Sequence, residues 1–150
     1  MSEVRTSIDI GAPPEKVWDF VMDPNNFDEW VTIHRRINHA DPGPPREGME
    51  VEQTLCLRHK NFKVKWTLTE VKHGRLARWE GTGPMGSHAS TCYRLAPVDG
   101  GGTRFDYVNE FRAPGGVLGA AASRVVVGDV PEKEANASLA KLKRVLENGR

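Results

Sequence analysis

Ala135-Asn136-Ala137-Ser138-Leu139-Ala140-Lys141-Leu142-Lys143-Arg144-Val145-Leu146 decides the fold. Ala135, Leu139, Leu142 and Leu146 recur at helical spacing on one apolar face. Lys141, Lys143, Arg144 and Glu147 face solvent, and Gly149 stops the helix. This run closes a helical segment from Phe111 to Gly149 that opens with Pro114-Gly115-Gly116, and nearly everything before it reads as strand upon strand. An antiparallel sheet closed by one long helix must bury a face of each against the other. Where the sheet is strongly curved the two surfaces need not touch everywhere, and the gap is a pocket. Function is to be sought in what lines it.

Working outward, the first half of that segment is different in kind. Val117 to Ala122 and Val125 to Val127 are apolar nearly all round, which implies burial on more than one side. Gly128-Asp129-Val130-Pro131 then predicts a kink or break, because proline removes a helical hydrogen bond and disfavours helical angles before it. Val117 to Val127 is therefore expected to be the more mobile lid of the pocket.

Upstream, Val4, Thr6, Ile8 and Ile10 alternate as one side of a strand. Pro13-Pro14-Glu15 starts a helix that carries Val17, Phe20 and Val21 on one face. Asp23 caps a second short helix with Pro24 in its first turn and Phe27 and Trp30 one turn apart; Trp18 and Trp30 read as structural packing. Ile33 to Ala40 is a short edge strand or extended link before the breakers Pro42 to Gly48. Met49, Val51, Gln53, Leu55 and Leu57 then share a face, Asn61 turns the chain, and Phe62, Val64, Trp66 and Leu68 point inward. Leu76 to Gly83, Ser87 to Ala96 and Thr103 to Arg112 complete the strands, the last two as a hairpin across Asp99-Gly100-Gly101-Gly102. The expectation is one α+β domain over residues 1–150, a curved antiparallel sheet of about seven strands around a long kinked C-terminal helix. Phe20, Trp66 and Leu142 should belong to one continuous interior.

Composition excludes several functions. Lys plus Arg total 21 against 20 for Asp plus Glu, a formal charge of +1, so nothing in the balance calls for nucleic acid or an anionic membrane. Lys60, Lys63 and Lys65 form a basic row, but Phe62 and Trp66 point the other way, so the row reads as a solvated face rather than a single-strand binder. The longest apolar run, Val117 to Val127, is about half of the ~20 residues a membrane span needs. Cys56 and Cys92 stand far apart with no secretory leader, so the cytoplasm is the expected compartment. No metal site is expected, since there is no HExxH and no Cys/His pairing, and no cofactor motif stands in the right context.

The inward polar side chains are the sharpest candidates. Gln53, Tyr93, Tyr107 and Asn109 sit two residues from apolar neighbours, and burying such a group without a partner costs about 1–3 kcal/mol. Either they line a cavity and hydrogen-bond a ligand's carbonyl or hydroxyl, or they pair with each other, with backbone or with buried water. Trp66, Trp79 and Phe105 are candidates to stack on a planar ligand, with Val64 and Leu118 as apolar contacts. Histidines titrate near neutrality, and of the five only His34 and His88 have strand registers that leave an inward orientation open. Tyr93, Tyr107, His88 and His34 are thus the candidate acid–base groups.

The order of elements adds a resemblance. A strand, a Pro-Pro-Glu-x-Val-Trp helix (Ala12 to Trp18), Asn26 to Trp30, a Gly-Thr-Arg-Phe hairpin (Gly102 to Phe105) and Pro114 to Gly119 before the final helix resemble, over essentially the whole chain, the polyketide cyclase/dehydrase and lipid-transport family of the START-like, Bet v 1-like (SRPBCC) superfamily. The resemblance implies a helix-grip fold with a ligand cavity between sheet and terminal helix. Its members span cyclases and aromatases, carriers of lipid, polyketide-like or isoprenoid ligands, and proteins without known chemistry. Aromatase members use a pocket arginine, for which Arg36 and Arg78 are the candidates here. Trp30-Val31-Thr32-Ile33-His34-Arg35 also resembles members labelled as growth-inhibiting partners of small antitoxins, which makes a small protein partner a further possibility. Ligand identity, turnover and oligomeric state are not fixed by these residues.

Overall fold

The computed structural model describes residues 2–57, 59–112 and 130–148. Seven strands form one antiparallel sheet: β1 (Ser2–Ile10), β2 (His34–Ala40), β3 (Glu50–Leu57), β4 (Lys60–Lys72), β5 (Leu76–Thr82), β6 (His88–Val98) and β7 (Gly102–Arg112). Their order across the sheet is β1-β7-β6-β5-β4-β3-β2, so the chain meanders from β2 to β7 and brings β7 back beside β1. Helices α1 (Pro14–Val21) and α2 (Phe27–Trp30) follow β1, with a 3-10 turn at Pro24–Asn26 between them, and α3 (Val130–Glu147) follows β7.

Local chemistry sets these boundaries. Pro14 opens α1 where its missing N–H costs nothing, and the Asp23 carboxylate accepts from the Asn25 N–H at 3.0 Å to start the next turn. Gly100 (φ 86°) and Gly101 (φ 82°) take the left-handed conformation that closes the β6–β7 hairpin. The β3–β4 turn corrects one expectation. Asn61 pairs with Cys56 inside the ladder, and His59, with φ 67°, holds the left-handed position instead.

Leu139, Leu142 and Leu146 of α3 are buried in one cluster with Trp18, Phe20, Trp30 and Phe105. Trp66 packs against that cluster but is only partly buried. Polar ties fix the helix along β1 and the α2 end. The Gly11 N–H donates to Glu147 Oε2 at 2.7 Å, Lys143 Nζ to the Asp9 carbonyl at 2.8 Å, and the Thr32 N–H to Ser138 Oγ at 3.0 Å. The expected lid, Val117 to Val127, and Leu118 with it lie outside the described residues, as does most of the expected break, of which only Val130 and Pro131 are described.

Candidate functional site

Strand alternation turns one residue in two toward the helices, and on one half of that inner face the side chains leave a cavity of about 60 Å³. One water needs roughly 10–15 Å³, so the space exceeds a single buried water. Its floor comes from β3 (Val51, Gln53, Leu55), β4 (Trp66) and β5 (Trp79). Thr91 and Tyr93 of β6 and Tyr107 and Asn109 of β7 form the adjoining wall. Phe27 of α2, with Val31 and Ile33 just after it, covers the opposite side. These positions are brought together by register: Val51 pairs with Trp66, Trp79 with Thr91, Thr91 with Asn109, and Tyr93 with Tyr107.

Trp66 fits because its cross-strand partner is Gly81. A Cβ built on Gly81 would stand 2.7 Å from Trp66 Cε3 and 2.8 Å from Val64 Cγ1, so only glycine leaves the ring its place. The indole N–H of Trp66 donates to Gln53 Oε1 at 3.0 Å, and Gln53 Nε2 lies 2.8 Å from His34 Nδ1. On the other side of the cavity, Thr91 Oγ1 donates to Asn109 Oδ1 at 3.1 Å, and Asn109 Nδ2 makes a longer contact of 3.4 Å with the Tyr107 hydroxyl. Gln53 and Asn109 are thus held by other side chains.

The tyrosine rings stack at 5.9 Å with 22° between planes, and Trp30 meets both edge-on. Burial raises the Tyr93 phenol well above its ordinary range, with the neighbouring Tyr107 adding to the shift, and burial pushes Tyr107 up to about 12. Both are kept protonated at neutral pH. His34 is shifted the other way: burial lowers it, and the Asp28 carboxylate only partly opposes this. Trp79 is 4% exposed, and its indole N–H, like that of Trp30, has no hydrogen-bond partner among the described residues.

Of the residues singled out from sequence, Gln53, Trp66, Trp79, Tyr93, Tyr107 and Asn109 line the cavity. Val64 and Phe105 are buried beside the wall, Val64 paired with Gln53 and Phe105 against Tyr93, but do not line the cavity. His34 is not a lining residue but touches two of them, Gln53 at 2.8 Å and the Phe27 ring edge-on at 5.9 Å between centroids. His88 does not reach it: the side chain is exposed on the outer face, with Nδ1 3.8 Å from Glu80 Oε2. Arg36 is exposed and donates to Asn38 Oδ1 at 3.2 Å, while Arg78 pairs with Glu70 at 3.3 Å on the outer face, so neither arginine enters the cavity. No charged side chain is found among the described residues of the wall. Sequence reasoning did not single out Val51, Leu55 and Thr91, which strand alternation beside Gln53 and Tyr93 signals, nor Phe27, Val31 and Ile33, whose spacing does not show that they face the cavity.

The profile of the polyketide cyclase / dehydrase and lipid transport family matches residues 1–147. The chain is 29% identical over 133 residues to the uncharacterized protein Rv1546 of Mycobacterium tuberculosis, a match covering 87% of this chain and 92% of that protein. It is 28% identical over 101 residues to toxin Rv0910 of the same species, covering 67% and 70% respectively. The solved structure of the Zhui aromatase/cyclase from a Streptomyces species superposes with a TM-score of 0.76 at 18% identity, covering 98% of this chain and 94% of that one, a likeness of fold.

Proposed function

The chain belongs to the polyketide cyclase / dehydrase and lipid transport family, and on that footing we propose that it binds a small uncharged hydrophobic or aromatic molecule in the cavity of the sheet. The observation that carries this reading is the chemistry of the wall. Val51, Leu55 and Phe27 supply apolar surface, Trp66, Trp79, Tyr93 and Tyr107 supply rings, and every described polar lining group is neutral. An ion moved there would lose its hydration without an opposite charge to replace it. A planar molecule would exchange water for ring contacts of the offset or edge-on kind. The free thiols of Cys56 and Cys92 support a reducing compartment, the cytoplasm.

The enzyme reading, a cyclase or dehydratase, shares this cavity and needs an acid–base group within it. Tyr93 and Tyr107 are its candidates, and both are held protonated, able to donate a proton but poor bases near neutral pH. Binding without turnover is therefore the first reading. Titration with aromatic-polyketide mimics, followed by tryptophan fluorescence and by product mass, tests it. Saturable binding with unchanged ligand mass is expected, whereas turnover lost in Tyr93→Phe or Tyr107→Phe would establish the enzyme.

A second reading, action through a protein partner, is supported by the likeness to toxin Rv0910 and by the position of β2 at the edge of the sheet. Co-purification with the product of a neighbouring gene, lost when β2 is blocked by Ile37→Pro, is its test.

A further inference from the structure

His34 stands outside the cavity wall yet touches it on two opposite sides. Its Nδ1 lies 2.8 Å from Gln53 Nε2 on the floor, and its ring meets the Phe27 ring of the cover at 5.9 Å between centroids. Half-buried at the start of β2, the imidazole bridges the seam between β3 and α2.

The floor side of that bridge admits one protonation state. Trp66 Nε1 only donates, so it holds Gln53 Oε1 at 3.0 Å and leaves the Gln53 NH2 group for His34. A neutral imidazole meets that NH2 with an acceptor. An imidazolium meets it with a second N–H, and Gln53 cannot turn over without facing its NH2 to the Trp66 N–H. Whichever way Gln53 turns, one of the two bonds is lost, and both Gln53 and Trp66 line the cavity.

The charged groups around the ring do not undo this arithmetic. Of the α2 carboxylates, Asp28 and Glu29, Asp28 favours the imidazolium but is outweighed by burial of the ring. On α3, Lys141 donates to the Asp28 carbonyl at 3.4 Å and Glu134 bonds the Thr32 hydroxyl. On β2 itself, Arg35 turns to Cys56 Sγ at 3.4 Å and Arg36 to Asn38 Oδ1 at 3.2 Å. Across the ladder β3 sets Leu55, which does not titrate.

We infer that His34 is a proton-operated catch on the cavity: neutral, it ties floor to cover and the cavity holds its ligand, and protonated, it lets go and the ligand binds more weakly. This rests on the binding reading above and adds a control to it. Affinity depends on a wall already in place, and the imidazolium costs that wall a bond that fixes Gln53 or Trp66. The linkage also runs backwards. A ligand seated against Gln53 and Phe27 takes water from beside the ring and disfavours its charged form, so binding and protonation oppose each other.

The test follows the fluorescence of N-phenyl-1-naphthylamine, a probe that stays uncharged throughout, from pH 8 to one unit below the His34 midpoint read by ring-nitrogen NMR. Its dissociation constant should rise about three-fold or more over that interval, most of the roughly five-fold that one buried hydrogen bond is worth. Saturating probe should in turn lower the His34 midpoint. His34→Gln should flatten the dependence, and His88→Gln, on the outer face, should keep it. Should His34→Gln not fold, the free wild type decides: the Trp66 indole N–H resonance, assigned by its loss in Trp66→Phe, should shift with pH at the His34 midpoint. A Trp66 resonance that ignores that midpoint, a dissociation constant level through it, or a slope that survives in His34→Gln would overturn the inference and leave the binding reading standing. No saturable probe binding at pH 8 would overturn both.

Discussion

The Trp66 indole N–H donates to Gln53 Oε1 at 3.0 Å, and this single bond determines the protonation of a residue beyond it. Because the indole only donates, Gln53 must turn its oxygen to Trp66 and its NH2 to His34 Nδ1, 2.8 Å away. His34 Nδ1 therefore accepts, and the ring is neutral with its proton on Nε2. Burial pushes in the same direction, lowering His34 below its ordinary 6.5. Ring-nitrogen NMR should show the Nε2–H tautomer at neutral pH and a midpoint below 6.5. Between that midpoint and 6.5 the unfolded chain binds a proton that the folded chain refuses. Stability is thus full above 6.5 and declines as pH falls through the window. His34→Gln should lose that part of the slope.

Replacing Gln53 by Glu changes the sign. A carboxylate accepts from Trp66 as before but has no proton to give His34, so it favours the imidazolium. In Gln53→Glu the His34 midpoint should rise above 6.5, measured by the same NMR titration. Gln53→Leu leaves the Trp66 N–H and His34 Nδ1 without partners and should cost about 1–3 kcal/mol in denaturant unfolding.

The chain has two tyrosines, and both line the cavity. Absorbance of the native protein at alkaline pH should show no phenolate at the ordinary midpoint near 10, with Tyr107 rising only toward about 12. The denatured chain should titrate normally. Since the folded phenols are raised, their contribution to stability is complete below 10 and is lost as pH rises past it, when the unfolded chain ionises first.

Gly81→Ala places a methyl where the Trp66 ring lies. Overpacking of this kind costs about 1–3 kcal/mol. Because the ring must move, the Trp66–Gln53–His34 chain should break with it, seen as a shifted Trp66 indole resonance and a His34 midpoint nearer 6.5. Leu142→Ala, at a position with no exposure, should cost about 2–5 kcal/mol and leave His34 unaffected.

Much of this site can be read from the sequence, and for a definite reason. Period-two alternation puts Val51, Gln53 and Leu55 on one face and Tyr93, Tyr107 and Asn109 on another, and register folds those faces together. The same alternation, counted back from Tyr93, already places His88 outside. What the sequence does not carry is partnership between strands and helices. That Gln53 is held by Trp66 and His34 depends on neighbours 13 and 19 positions away. The one turn of α2 shows Phe27 and Trp30 at helical spacing but not which way they face, and Val31 and Ile33 lie beyond it, so their place at the cavity is not signalled. The β3–β4 turn misleads because asparagine tolerates left-handed backbone better than histidine, yet His59 holds that place.

The central claim, that this cavity holds an uncharged organic molecule, is tested most directly by native mass spectrometry of the protein purified from its own host. The account predicts a second species heavier by the mass of one neutral, largely apolar compound. The bare chain alone, with no added mass under conditions that preserve non-covalent complexes, would contradict it.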